Sequence, residues 1–261
     1  MSGLMLCTMR AQKPYYIKEI NKNIYSIEEL SFYLYNYLYL VEDRFFSEGL
    51  IEYLDTTLEL KSVADGLKQI KNREGSLGEM ISFVVKNSGF YSAKEVEELE
   101  RHLVMLNSKT SSERIKGKAD ILMDNHKYNL AIIFYKNILN KGRNADLSDE
   151  FYGDIYYNLG VAYSRMFEYA TAANYFKTAY KLNDNIRILD SVVLADLLDG
   201  NDKRLKRDQS QYKISDLTIN KLRAKIMSIK SETEADWEEK TIDANEFVKN
   251  CKKEYFVEIN A

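Results

Sequence analysis

The sequence predicts an all-α protein, and three observations predict it. The 261 residues include one proline, Pro14, and eleven glycines; proline removes a helical donor and glycine costs backbone entropy, so a chain poor in both favours helix. Ser26, Ser92 and Thr110 each stand three residues before a glutamate (Glu29, Glu95, Glu113), the spacing of a reciprocal helix N-cap. Apolar residues then recur at steps of three and four. About a dozen helices follow from these signals, joined by short connections.

The elements run in order. Residues 10–25, around Pro14 and Asn21-Lys22-Asn23, admit a small hairpin or an extended arm. Ser26 opens a tyrosine-rich helix over 27–41, with Leu30, Leu34 and Leu38 on one stripe and Tyr33, Tyr35, Tyr37 and Tyr39 beside it. Such a helix is apolar nearly all round and reads as core; Glu28, Glu29, Glu42 and Asp43 at its ends argue against a nucleic-acid groove or an anionic membrane surface. Its hydroxyl edge is a candidate second surface. Further helices carry Leu50, Ile51, Leu54 and Leu58; Val63, Leu67 and Ile70; Met80, Ile81, Val84 and Val85, closing at Ser88-Gly89; and Val96, Leu99, Leu103 and Leu106. Near the C-terminus, Ile219, Leu222, Ile226 and Ile229 form an inward stripe, and Asp243–Glu246 opens a last short helix. The domains expected are an N-terminal helical region 1–110, a repeat region 111–200 and C-terminal helices 201–261 that cap it.

Charge is close to balanced: net −3 for the chain, without a basic segment large enough for a nucleic-acid footprint. The tightest basic cluster, Lys203, Arg204, Lys206 and Arg207, reads as a solvated connection. Cys7 and Cys251 lie near opposite ends and form no CxxC, which fits a reducing cytoplasm. The N-terminal ten residues lack the pattern of a signal peptide, and no apolar run nears the ~20 residues of a membrane helix.

Residues 153–186, GDIYYNLGVAYSRMFEYATAANYFKTAYKLNDNI, resemble a tetratricopeptide repeat, whose pattern is W-x2-L-G-x2-Y followed by A-x3-F. Tyr156, Leu159, Gly160 and Tyr163 take the first four slots, Ala172 and Phe176 the next two, and Ala179 the further small position. Asp184 stands where the family has its closing proline, so that turn needs another device. A weaker copy spans 112–145: Ile115, Ala119, Leu122, Ala131, Tyr135 and Ile138 occupy the slots, and Lys118 replaces the leucine. The copies are offset by 41 residues, with the excess in the stretch KGRNADLSDE. From Arg187 onward, Leu189, Val193, Leu197 and Leu198 give a half repeat or capping helix before Gly200 breaks the pattern. The resemblance covers about a third of the chain and implies a stack of helical hairpins, an α-solenoid, with extra helices at both ends, since such units rest on their neighbours.

No sequence signal indicates catalysis. His102 and His126 lie 24 residues apart, without HExxH or CxxC partners; P-loop, GxGxxG and GxSxG patterns do not occur. No cofactor or metal is expected. The resemblance implies a concave groove that holds a peptide or partner helix, here lined by Lys116, Asp120, Met123, Asp154, Tyr157, Asn158, Val161 and Arg165, while Tyr156, Leu159, Gly160, Tyr163, Ala172, Phe176 and Ala179 pack the repeat. Some members of the family clamp a peptide carboxylate with lysine and asparagine; Lys116 and Asn158 match two such positions, but Asp120 replaces an asparagine and opposes an incoming carboxylate. The expectation is therefore a cytoplasmic, non-catalytic adaptor or scaffold for a protein or peptide, with no nucleic acid and no membrane insertion. Two alternatives stay open: a peptide-sensing signalling regulator, and an enzyme hidden in the N-terminal helices. The oligomeric state is not encoded legibly.

Overall fold

The structure, a computed structural model, describes residues 9–239, 246 and 248–253. Among the described residues the fold is all-α apart from one short antiparallel hairpin, β1 (Tyr15–Ile17) with β2 (Lys22–Ile24), in the register Tyr15 to Ile24 and Ile17 to Lys22. Trp237, the short helix expected after Asp243 and the terminal EYFVEIN fall wholly or partly outside what is described. The chain divides into two compact units, residues 1–167 and 168–261.

In the first unit, α1 (Ile27–Asn36) starts at Ser26, whose hydroxyl accepts the Glu29 N–H; Glu29 in turn takes the Tyr25 N–H at 2.6 Å. Leu30, Tyr33 and Leu34 are buried, as a core helix requires. The helix ends at Asn36, five residues short of the sequence expectation. Tyr37 leaves helical geometry (φ −122°, ψ 36°), and a 3₁₀ turn at Leu38–Leu40 follows. This exit turns Leu40 and Val41 inward and sends Tyr39 against a later helix. Ser47 caps α2 (Glu48–Glu52), which widens into a π turn at Tyr53–Thr57. Then come α3 (Lys61–Asn72), α4 (Leu77–Asn87) and α5 (Ala93–Ser108), the last opened by a complete Ser92/Glu95 capping box. Gly89 closes α4 at φ +65°.

The first unit ends with α6 (Ser111–Asp124), α7 (Tyr128–Asn140) and α8 (Asp149–Arg165); the second holds α9 (Tyr169–Asn183), α10 (Arg187–Asp199), α11 (Asp202–Tyr212) and α12 (Asp216–Glu239). Within the first unit α6 packs on α7 and α7 on α8; within the second α9 packs on α10 and α10 on α11. The backbone turns after α6 and after α8 are closely similar. Between α6 and α7, His126 is left-handed (φ 58°) and Lys127 follows at φ −88°, ψ 53°; between α8 and α9, Phe167 has φ 63° and Glu168 φ −89°, ψ 64°. The two turns lie 41 residues apart, the offset read from the alanines.

Three expectations change in the second unit. Gly200 does not end a half repeat: at φ 68° it is the left-handed residue of the same kind of turn, and α11 follows and packs on α10 as a hairpin partner. The Lys203–Arg207 cluster lies on that helix, not in a loop, and the half-buried Arg204 pairs with the buried Asp196 at 2.5 Å. On α12, Ile219 is buried with Val193 and Leu205, and Leu222 packs beside them, but Ile229 is 54% exposed because the helix outruns the surface it rests on. Asp184 replaces the closing proline by adopting φ +46°, a conformation aspartate tolerates better than most residues.

Candidate partner-binding face

The face builds from α6 and α8, both within the first unit. Thr110 starts α6 with a complete capping box: its hydroxyl accepts the Glu113 N–H, and Glu113 accepts the Thr110 N–H at 2.8 Å. These bonds hold the Glu113 carboxyl below its ordinary range. One and two turns on, Lys116, Asp120 and Met123 share a side of α6. Ser148 caps α8, which carries Asp154, Tyr157, Asn158, Val161 and Arg165 at matching steps.

Three of these residues meet. Asp120 accepts from Lys116 Nζ at 2.9 Å, from the Tyr135 hydroxyl at 2.5 Å and from Asn158 Nδ2 at 3.0 Å, and Asn158 Nδ2 also lies 3.1 Å from the Tyr135 oxygen. The network ties α6, α7 and α8 together. Tyr135 is fully buried, and burial followed by the Asp120 charge pushes its hydroxyl far above the ordinary tyrosine range; it remains a donor at any working pH. Met123, Tyr157 and Val161 are half-buried, while Asp154 and Arg165 are exposed. Of the packing positions, Leu159, Gly160, Ala172, Phe176 and Ala179 are buried and Tyr156 and Tyr163 half-buried.

Sequence reasoning misses Tyr135 as a polar partner, treating it as the aromatic filler of its slot. A signal is present: the residue 41 later is Phe176, and the residue 41 after Asp120 is Val161. A hydroxyl and a carboxylate enter one repeat segment together and are absent from the next.

Beneath this face, α6 also receives the tyrosine-rich stretch. A Cβ on Gly117 would lie 2.5 Å from the Tyr39 ring, so only glycine admits that ring. Lys109 Nζ donates to the Tyr39 hydroxyl at 2.7 Å, and Lys118 pairs with Glu42 at 2.5 Å, which lowers the Glu42 pKa.

Elsewhere in the first unit, a cleft of about 630 Å³ lies among α3, α4 and α5. Its charged groups are spent on two ion pairs, Arg73–Glu79 and Lys86–Glu100. Among the described residues, no cluster of three His, Cys, Asp or Glu side chains is placed to hold a metal ion, and no helix is long and apolar enough to cross a membrane.

With this geometry in place, comparison with known proteins adds one match. Residues 153–186 fit the family model described as Tetratricopeptide repeat. The preceding hairpin α6–α7, with its equivalent turn, is consistent with a second unit of that kind. No curated protein and no solved structure matches the chain. Repeats of this family are generally non-catalytic and mediate contacts between proteins, so the match suggests an interaction adaptor or scaffold with a protein partner.

Proposed function

We propose that the chain is a non-catalytic, cytoplasmic adaptor or scaffold that holds a protein or peptide on the face formed by α6 and α8. The observation that carries this reading is the tetratricopeptide match at 153–186, whose first helix, α8, carries Tyr157, Asn158 and Val161, with Asn158 hydrogen-bonded to Asp120 of α6. Affinity comes from the half-buried Met123, Tyr157 and Val161, since apolar and aromatic contacts dominate such interfaces. The polar groups fix register, and Arg165 at the last turn of α8 orients the partner. The repeat region 111–200 is the binding module; 1–110 and 201–261 flank it.

The test is quantitative affinity capture from native lysate with mass spectrometry, comparing the full chain with its Tyr157→Ala/Asn158→Ala variant. Loss of one or more specific partners by the variant, with its helical circular dichroism unchanged, is the expected result. Identical partner profiles for the two proteins would refute the proposal.

A further inference from the structure

The chain changes sign along its last two long helices. Residues 201–230 carry nine lysines and arginines against three aspartates, whereas residues 231–239 carry five carboxylates and no cation. Part of the basic excess is spent inside the second unit: Arg204 holds Asp196 and Asp199, and Arg207 holds the buried Asp208. The rest is not. Lys203 and Lys206 on α11, Lys213 in the turn after it, and Lys221, Arg223 and Lys225 on α12 are exposed, and their charged groups meet no partner among the described residues. Within 201–230 only the exposed Asp202 and Asp216 stand against these six cations.

The packing turns this excess outward. Leu205 of α11 and Ile219 of α12 are buried together with Val193 of α10. Helical spacing then points Lys203 and Arg207 away from Leu205, and Leu217 and Lys221 away from Ile219. Leu217 is 80% exposed and Met227 66%, so large apolar side chains stand among the unpaired cations. That combination separates the candidate partners. Nucleic-acid phosphates would neutralise the lysines but leave Leu217 and Met227 in water. An anionic bilayer surface takes both: clusters of about four to eight cations on a helix attract acidic headgroups, and apolar side chains enter the boundary between headgroup and acyl chain. The long lysine stem keeps the ammonium at headgroup level. Glu232, the first acid of the following stretch, lies about 10 Å beyond Lys225 along the helix, roughly one screening length at physiological salt, so it does not cancel the basic face.

We infer that the outer side of α11 and the 216–230 part of α12 form a peripheral docking face for a bilayer surface rich in anionic lipid. The contact is not a span: among the described residues no helix is long and apolar enough to cross a membrane. This face lies in the second unit and is argued separately from the α6–α8 face.

The experiment sediments the full chain with vesicles of phosphatidylcholine, alone or with about 30% phosphatidylserine, at about 0.1 M salt. Partition onto the anionic vesicles should exceed that onto the neutral ones by about twentyfold, and should fall to the neutral level at about 0.5 M salt. Lys221→Gln/Lys225→Gln and, separately, Lys203→Gln/Lys206→Gln should each lower it about tenfold. Leu217→Ser should lower it about threefold at every salt concentration, because it removes apolar contact and no charge. All five positions are exposed, and circular dichroism checks that the helices persist. A labelled DNA duplex of about 20 base pairs is the competing probe. Equal partition onto both vesicle types, partition unmoved by both lysine pairs or by Leu217→Ser, or capture of the duplex without capture of vesicles would overturn the inference. None of these outcomes bears on the adaptor reading, which the Tyr157→Ala/Asn158→Ala variant tests.

Discussion

Two repeat segments, residues 112–145 and 153–186, share a backbone turn to within about ten degrees in the cited angles and differ in the residues they place at equivalent positions. Lys116, Asp120 and Tyr135 of the first correspond to Tyr157, Val161 and Phe176 of the second, and Gly117 corresponds to Asn158. The first segment carries a hydrogen-bonded polar network where the second carries a tyrosine, a valine and a phenylalanine. The lesson is that the repeat geometry is set by small residues and turn conformation, while its interior tolerates polarity when every donor finds an acceptor. The 117/158 position shows how one slot adapts to its neighbour: glycine admits the Tyr39 ring, and asparagine reaches back to Asp120. The α10–α11 hairpin of the second unit goes further and buries charge, with Asp196 and Asp208 each about 1% exposed.

The sharpest way to break this comparison is at the buried charges. Arg204→Ala leaves Asp196 buried without its cation, and removal of one partner of a buried pair costs about 3–5 kcal/mol; chemical denaturation should show that loss, and a shift under about 1 kcal/mol would mean the site admits water freely. Asp208→Asn comes next and depends on pH. Burial pushes the Asp208 carboxyl up, but the hydrogen bond and charge of Lys177, with Arg207, outweigh it and hold the group below its ordinary range. A lowered folded pKa contributes stability above the unfolded value of about 3.9 and loses it as pH falls through the folded value. The variant should therefore be less stable than wild type at pH 7, by roughly 3 kcal/mol, and converge on it near the acid limit of folding; parallel pH profiles would refute the assignment.

Converting the first repeat segment toward the second tests the central point. Asp120→Val alone strands the buried Tyr135 hydroxyl and should cost about 1–3 kcal/mol; adding Tyr135→Phe should return more than half of it, because removing both partners costs less than orphaning one. Additive losses in that double-mutant cycle would show that the network is not a unit. Gly117→Ala is expected to cost least, about 1–2 kcal/mol in thermal denaturation: the methyl group crowds Tyr39, and a helix-propensity gain of about 1 kcal/mol offsets part of that. A stabilised variant would show that Tyr39 moves aside freely.

Much of this architecture is legible in the residues alone. Capping boxes at Ser92 and Thr110, and the stripes of α3, α4 and α5, locate helices because those signals are local. The tetratricopeptide slots are local too, so residues 153–186 can be read directly. What escapes is set by partners distant in sequence. The tyrosine-rich helix stops at Asn36 because Leu40, Val41 and Tyr39 find burial elsewhere, which no window around residue 36 reveals. Arg204 looks solvated because its partner Asp196 sits across a turn whose glycine reads as a stop. On the candidate face, the sequence places Lys116, Asp120 and Asn158 on facing helices; that they bind one another depends on the Tyr135 hydroxyl, which a pattern treating tyrosine as bulk does not register.

The seat of Tyr39 on Gly117 has a practical consequence for anyone excising the repeats. A fragment beginning at Ser111 would bare the strip of α6 that Tyr39 covers and would deprive Lys118 of Glu42. Truncations meant to isolate the binding module should keep the segment from Tyr37 to Glu42, supplied on the same chain or added as a separate peptide, and a fragment lacking it should clump at concentrations where the longer chain stays monodisperse.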